Sequence, residues 1–169
     1  MYKYLTIIFL VALVLSCSDK VENVEFEPPD WSSRHADIVN SDSLEQGKSY
    51  LSIYSQIYTL DGGRRSNLTA MTSLRNTSVN DTIYISKVDY YDTDGTLIRH
   101  YLKKTIFLGP LETVDLVIEE MDEEGGTGSN FIFEWSKPKN CPEPLFEGVM
   151  SSTVGQQGLS FTTQSRRIE

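Results

Sequence analysis

From Ser49 onward the chain alternates apolar and polar residues with a period of two, in short runs separated by turn signals. Leu51, Ile53, Ser55 and Ile57 alternate with Tyr50, Ser52, Tyr54, Gln56 and Tyr58. Leu68, Ala70, Thr72 and Leu74 share one side of the next run, and Val114, Leu116 and Ile118 share one side of another. Phe131, Phe133 and Trp135 do the same opposite Glu134. A period of two puts successive side chains on opposite faces of a strand, whereas a helix repeats every 3.6 residues, and no long 3.6 period follows Ser49. The run from Thr82 to Tyr91 changes phase near Ser86 and Lys87, which predicts a bulge, because a one-residue slip reverses every side chain. Asp92-Thr-Asp-Gly95 is a turn between two β-rich runs. These runs predict an all-β fold, an antiparallel immunoglobulin-like β-sandwich of seven to nine strands over residues 48–166.

The segment ahead of that domain differs in kind. Residues 1–16 carry Lys3 and then an apolar run from Leu5 to Leu15. Eleven helical residues span about 16 Å, short of a hydrocarbon core about 30 Å thick, so the segment reads as a signal peptide. It ends in Val-Leu-Ser-Cys17, which resembles the bacterial lipobox. Cys17 is therefore the expected lipid-attachment residue, and the lipid bilayer the first expected partner. Several acyl chains on one residue anchor stably where one chain holds weakly. Ser18 rather than Asp follows the cysteine, which favours the outer membrane under the commonest sorting rule. Residues 17–47 are polar, with Pro28-Pro29, and read as a flexible tether. Within it, Trp31 is the residue expected to dock on the domain, and Asp42 to Gly47 is read as one helical turn ended by glycine.

Charge narrows the partners. The formal net charge is −9, with 24 acidic residues against 15 basic. Phosphate backbones require clustered Lys and Arg, so nucleic acid is not an expected partner. The stretch Glu123 to Trp135, EEGGTGSNFIFEW, is glycine-rich without being a phosphate loop. No Lys follows Gly128, the chain enters a strand instead of a helix, and acids precede it. Neither a nucleotide nor any other cofactor is expected. The acids raise a calcium site as a candidate, with Asp92, Asp94, Asp122, Glu123 and Glu124 as ligands, since calcium takes six to eight oxygens. The twelfth position from Asp92 is Lys103, so the EF-hand pattern fails.

Other chemistry is poorly supplied. Paired carboxylates for glycoside hydrolysis depend on a separation that only a structure measures. No G-x-S-x-G occurs, and His35 and His100 offer no zinc-type spacing with Cys141. Cys141 reads as a small buried hydrophobe. The strand tyrosines (Tyr50, Tyr54, Tyr58, Tyr84, Tyr90, Tyr91 and Tyr101) cover a core or present rings to a sugar or a protein. Asp42-Ser-Leu and Asp81-Thr-Ile resemble an O-glycosylation pattern of Bacteroidetes-type bacteria.

SLRNT (Ser73 to Thr77), YYDTDGTLIRHYL (Tyr90 to Leu102), LGPLETVDLVIEE (Leu108 to Glu120), GGTGSNFIFEW and GQQGLSF (Gly155 to Phe161) together resemble one bacterial family, domain of unknown function 3124. The resemblance runs from about Tyr50 to Arg166. It implies an exported protein and carries over no catalytic residue. The reading is a lipid-anchored envelope module, non-enzymatic, with a binding or structural role toward an envelope protein or glycan. The alternative is an envelope enzyme or a calcium-dependent sugar-acting domain using the acidic loop at residues 119–124.

Overall fold

The computed structural model describes residues 30–38, 43–153 and 158–169. Residues 1–16, Cys17 and most of the tether lie outside the described residues. Among the described residues twelve strands form: β1 (Leu44–Ser52), β2 (Gln56–Thr59), β3 (Asp61–Asn67), β4 (Thr69–Arg75), β5 (Ile83–Tyr91), β6 (Leu97–His100), β7 (Ile106–Leu108), β8 (Thr113–Ile118), β9 (Asn130–Pro138), β10 (Leu145–Ser152), β11 (Leu159–Gln164) and β12 (Arg166–Arg167). One sheet runs β12-β1-β9-β5-β6, with β7 also on β5; the other runs β11-β10-β4-β8; β2 and β3 form a separate hairpin. All pairings are antiparallel. The fold is the expected all-β sandwich.

The apolar alternation becomes the core. Leu51, Ile53, Leu68, Ala70, Leu74, Phe131, Phe133 and Trp135 are buried, as are Val114, Leu116 and Ile118. Phe133 of β9 stacks on Phe146 of β10 with ring centroids 3.9 Å apart, one ring from each sheet. The Trp135 indole donates to the Ser49 hydroxyl at 2.9 Å, so its one polar atom is satisfied inside the core. The phase change in β5 is a register shift between Ile85 and Lys87, where the expected bulge falls. It lets Ile83 and Ile85 on one side of the bulge, and Val88 and Tyr90 on the other, all face inward.

Three details correct the strand reading. Leu44 to Gly47 are strand, not helical turn, and pair with Pro138 to Trp135. Gly47 does not end a helix. It admits the Trp135 ring, which a Cβ there would meet at 2.3 Å. The run from Tyr50 to Thr59 is two strands, because the chain leaves the first sheet after Ser52. It is held there by the Ile53 amide donating to the Ser129 carbonyl and the Leu68 amide donating to the Ser55 carbonyl. The additional strands are β3, whose sequence DGGRRSN is mostly exposed, and the two-residue β12.

The registers define two ends. At one end lie Leu44, Arg75, Ile83, Leu108, Thr113 and Pro138; at the other lie Ser52, Ala70, Tyr91, Ile118 and Asn130. Trp31–Arg34 forms a 3-10 turn, capped by the Asp30 carboxylate accepting from the Ser32 amide. Trp31 packs against the core, Ala36 donates to the Thr105 carbonyl, and Arg34 pairs with Glu112. The N-terminal segment therefore meets the domain beside β7 and the Gly109 to Glu112 turn, at the first end.

Candidate functional site

The second end gathers three connections: the β2–β3 hairpin, the Asp92 to Thr96 turn between β5 and β6, and the loop from β8 to β9. Between them lies a cleft of about 350 Å³. Its lining includes Tyr58, Arg65, Asp92, Asp94, Glu123 and Glu124.

The glycine run explains how these connections close together. A Cβ on Gly125 would sit 1.9 Å from the Tyr90 hydroxyl, and Gly126 has φ +68. Gly125 thus permits close approach to a buried tyrosine, and Gly126 supplies the left-handed backbone that other residues resist. Thr93 joins the turn to the loop. Its hydroxyl donates to the Gly125 carbonyl at 3.0 Å and accepts from the Gly128 amide at 3.0 Å. The Gly126 carbonyl accepts from the Gln56 amide at 3.0 Å, which ties in the hairpin.

The five residues raised as candidate calcium ligands all lie at this end, and most already have partners within the domain. Asp122 and Glu124 both accept from Arg99, at 3.1 and 2.9 Å. Glu123 accepts from the Asn67 amide group at 2.7 Å. One Asp92 oxygen accepts from the backbone amides of Asp94 and Thr96, at 2.9 and 2.7 Å, and caps its own turn. Among the described residues no group of three or more His, Cys, Asp or Glu side chains is placed to hold a metal ion. Arg99 gathers Asp122 and Glu124 on one guanidinium nitrogen and Asn67 takes Glu123, so these acids form a rim that side chains of the domain already partner.

The groups around the rim are electrostatically coupled. Burial alone would lower the Arg99 guanidinium, but Tyr101 and Asp122 outweigh it and raise it. Hydrogen bonds from Thr127 and Arg65 pull the Tyr58 phenol below its ordinary range. The Arg65 guanidinium lies 5.3 Å from the Tyr58 ring centroid, a cation–π distance. Tyr58 is 53% exposed.

The tyrosines divide by position. Tyr90 is buried and stacks on Phe131 at 4.9 Å, while Tyr54 and Tyr101 pack against the core. Of the seven strand tyrosines, Tyr58 combines an exposed ring with a place on the cleft. Cys141 is a buried free thiol. His100 is exposed and bonds through Nδ1 to Asp89 at 2.7 Å, on the outer face of the first sheet. Arg65, Gln56 and Thr93 were not singled out from sequence, because their approach depends on three connections far apart in the chain. The only local signal was the glycine run.

A family model described as "Protein of unknown function (DUF3124)" matches residues 46–168. The chain belongs to the DUF3124 family. The matched span starts within β1 and ends after β12, so the DUF3124 domain is the whole sandwich. No curated protein matches it. Among solved structures it is similar to one titled "Crystal Structure of Thermotoga maritima 1070", at 11% identity and a TM-score of 0.43, covering 71% of this chain and 92% of that one.

Proposed function

We propose that the protein is a lipid-anchored module of the bacterial envelope that binds a partner through the cleft end of its sandwich and catalyses no reaction. Acylated Cys17 would hold it to the bilayer, with the outer membrane the expected location. The observation that carries this reading is the polarity of the domain. The N-terminal segment docks beside the Gly109 to Glu112 turn, at the end away from the cleft. Twelve residues lie between Cys17 and Asp30, and the connection spans at most about 45 Å when extended. A lipid on Cys17 would then turn the closed end toward the membrane and leave the cleft free.

The rival reading, an enzyme or a calcium-dependent sugar-acting domain on the 119–124 loop, has less support. Asp122, Glu123 and Glu124 already take Arg99 and Asn67 as partners. The test has two arms. Cys17→Ala should move the protein from the detergent phase to the aqueous phase, and unchanged partitioning would remove the anchor. Photocrosslinkers at Tyr58 and at Lys139, on opposite ends, should capture an envelope component reproducibly at Tyr58 only. Equal capture at both, or at neither, would remove the cleft as the binding face.

A further inference from the structure

We infer that the cleft takes a neutral saccharide without a bridging cation: a sugar ring packs on Tyr58, and Arg65 with Asp92, Asp94 and Glu123 bonds its hydroxyls. This rests on the binding reading above and names its ligand class.

The composition of the lining is the argument. Cleft volumes of about 300–1,000 Å³ suit small molecules, and this one, at about 350 Å³, lies at the low end. The lining holds no aliphatic side chain, and Tyr58 is its single aromatic. An apolar ligand would strip water from these polar groups and leave them unpaired, which disfavours it. An anionic ligand meets four carboxylates and one guanidinium. A bare cation finds no converging set of three acids among the described residues. What remains is a ligand with many hydroxyls and no charge, able both to donate to carboxylates and to accept from Arg65.

The acids retain capacity for this. An ionised carboxylate has about four acceptor positions. Glu123 uses one on Asn67, and Asp92 uses one oxygen on its own turn. An aromatic face beside polar groups suits a sugar ring, whose C–H faces are apolar and whose edges are hydroxylated. Arg65 lies over one face of the ring, so a sugar would pack on the other, and its guanidinium supplies a donor fork at the same place. The cleft is preorganised, since Thr93, Gln56 and Asn67 tie its three walls together. Little ordering is then left for binding to impose.

The experiment is calorimetric titration of the full chain, purified in detergent, with neutral glucose and N-acetylglucosamine oligosaccharides, each with and without EDTA. A hexuronate oligosaccharide is the anionic control. The expected result is binding of at least one neutral series, unchanged by EDTA, and weakened roughly five- to tenfold by Tyr58→Ala or Arg65→Ala. Both side chains are exposed, so unchanged melting of the variants would show that the loss is local. No neutral binding, binding abolished by EDTA, binding of the hexuronate alone, or a Tyr58→Ala variant that binds as well as wild type would each overturn the inference. If Tyr58 crosslinks to an envelope protein while no saccharide binds, the ligand class falls and the binding face stands. If neither occurs, both fall.

Discussion

The two ends of the sandwich are built from the same kind of connection and finished differently. At the closed end, buried Asn76 donates through Nδ2 to the carbonyls of Asp81, Leu108 and Gly109, at 2.7, 3.0 and 2.9 Å, and accepts from the Ser78 amide. One side chain there satisfies backbone groups from two connections. Lys137, buried, pairs with Glu45 at 2.7 Å, and Arg167 pairs with Glu45 and Glu143 while lying over Trp135. At the cleft end the polar groups face one another across an opening of about 350 Å³. Polar side chains turned onto backbone close an end, whereas polar side chains turned onto solvent leave a surface that can recognise something. Both ends are well supplied with hydrogen bonds, so the difference lies in where those bonds point.

Asn76→Ala should break this contrast most severely. It would strand buried carbonyls at about 1–3 kcal/mol each, so a loss of roughly 3 kcal/mol is expected, read as a lower urea midpoint with an unchanged slope. A loss under about 1 kcal/mol would show that water replaces the side chain and that the closed end is not closed.

Gly47→Ala comes next, at about 1–3 kcal/mol, because the new methyl must displace the Trp135 ring deep in the first sheet. Its effect should be global. Gly125→Ala meets Tyr90 and Ser129 as closely but should act on the cleft loop, with hydrogen exchange faster at residues 123–129 and little changed at β1 and β9. Uniform acceleration across the sandwich would merge the two ends into one cooperative unit.

The acid dependence of the closed end is a finer test. Burial pushes the Glu112 carboxyl up, but Arg34 and the Gly109 amide outweigh it and leave the group below its usual value of 4.5. A depressed carboxyl contributes stability above that usual value and loses it as pH falls through the folded value. Arg34→Ala should flatten this part of the pH profile and release Trp31, seen as a red shift in its fluorescence. An unchanged profile would place the docking energy in Trp31 alone.

The smallest effect belongs to the hairpin. Leu60 has φ +60 and is 92% exposed. A bulky side chain in that region is strained, so Leu60→Gly should be neutral to stabilising by up to about 1 kcal/mol by thermal melting.

Legibility in the sequence follows the range of the interaction. The inward faces of β4, β8 and β9 could be read directly, because period-two burial is written in neighbouring residues. The bulge at Ser86 was legible for the same reason, as a slip in that period. β3 was not, because DGGRRSN has no apolar alternation; it is strand because the hairpin pairs it with β2. Leu44 to Gly47 were misread because a glycine after a polar stretch marks a helix end as readily as it makes room for a ring, and that ring lies 88 residues away.

The sequence alone determined that this chain forms a sandwich, because burial of alternate side chains is a local code that admits few other solutions. It also placed the acids and the glycines in loops. Only the tertiary structure decided what those loops do. Arg99 and Asn67 occupy carboxylates that adjacency suggested would face a cation, and Thr93 draws two distant turns into one wall. Side-chain pairing across a sheet end depends on register and close approach, which no run of neighbouring residues records.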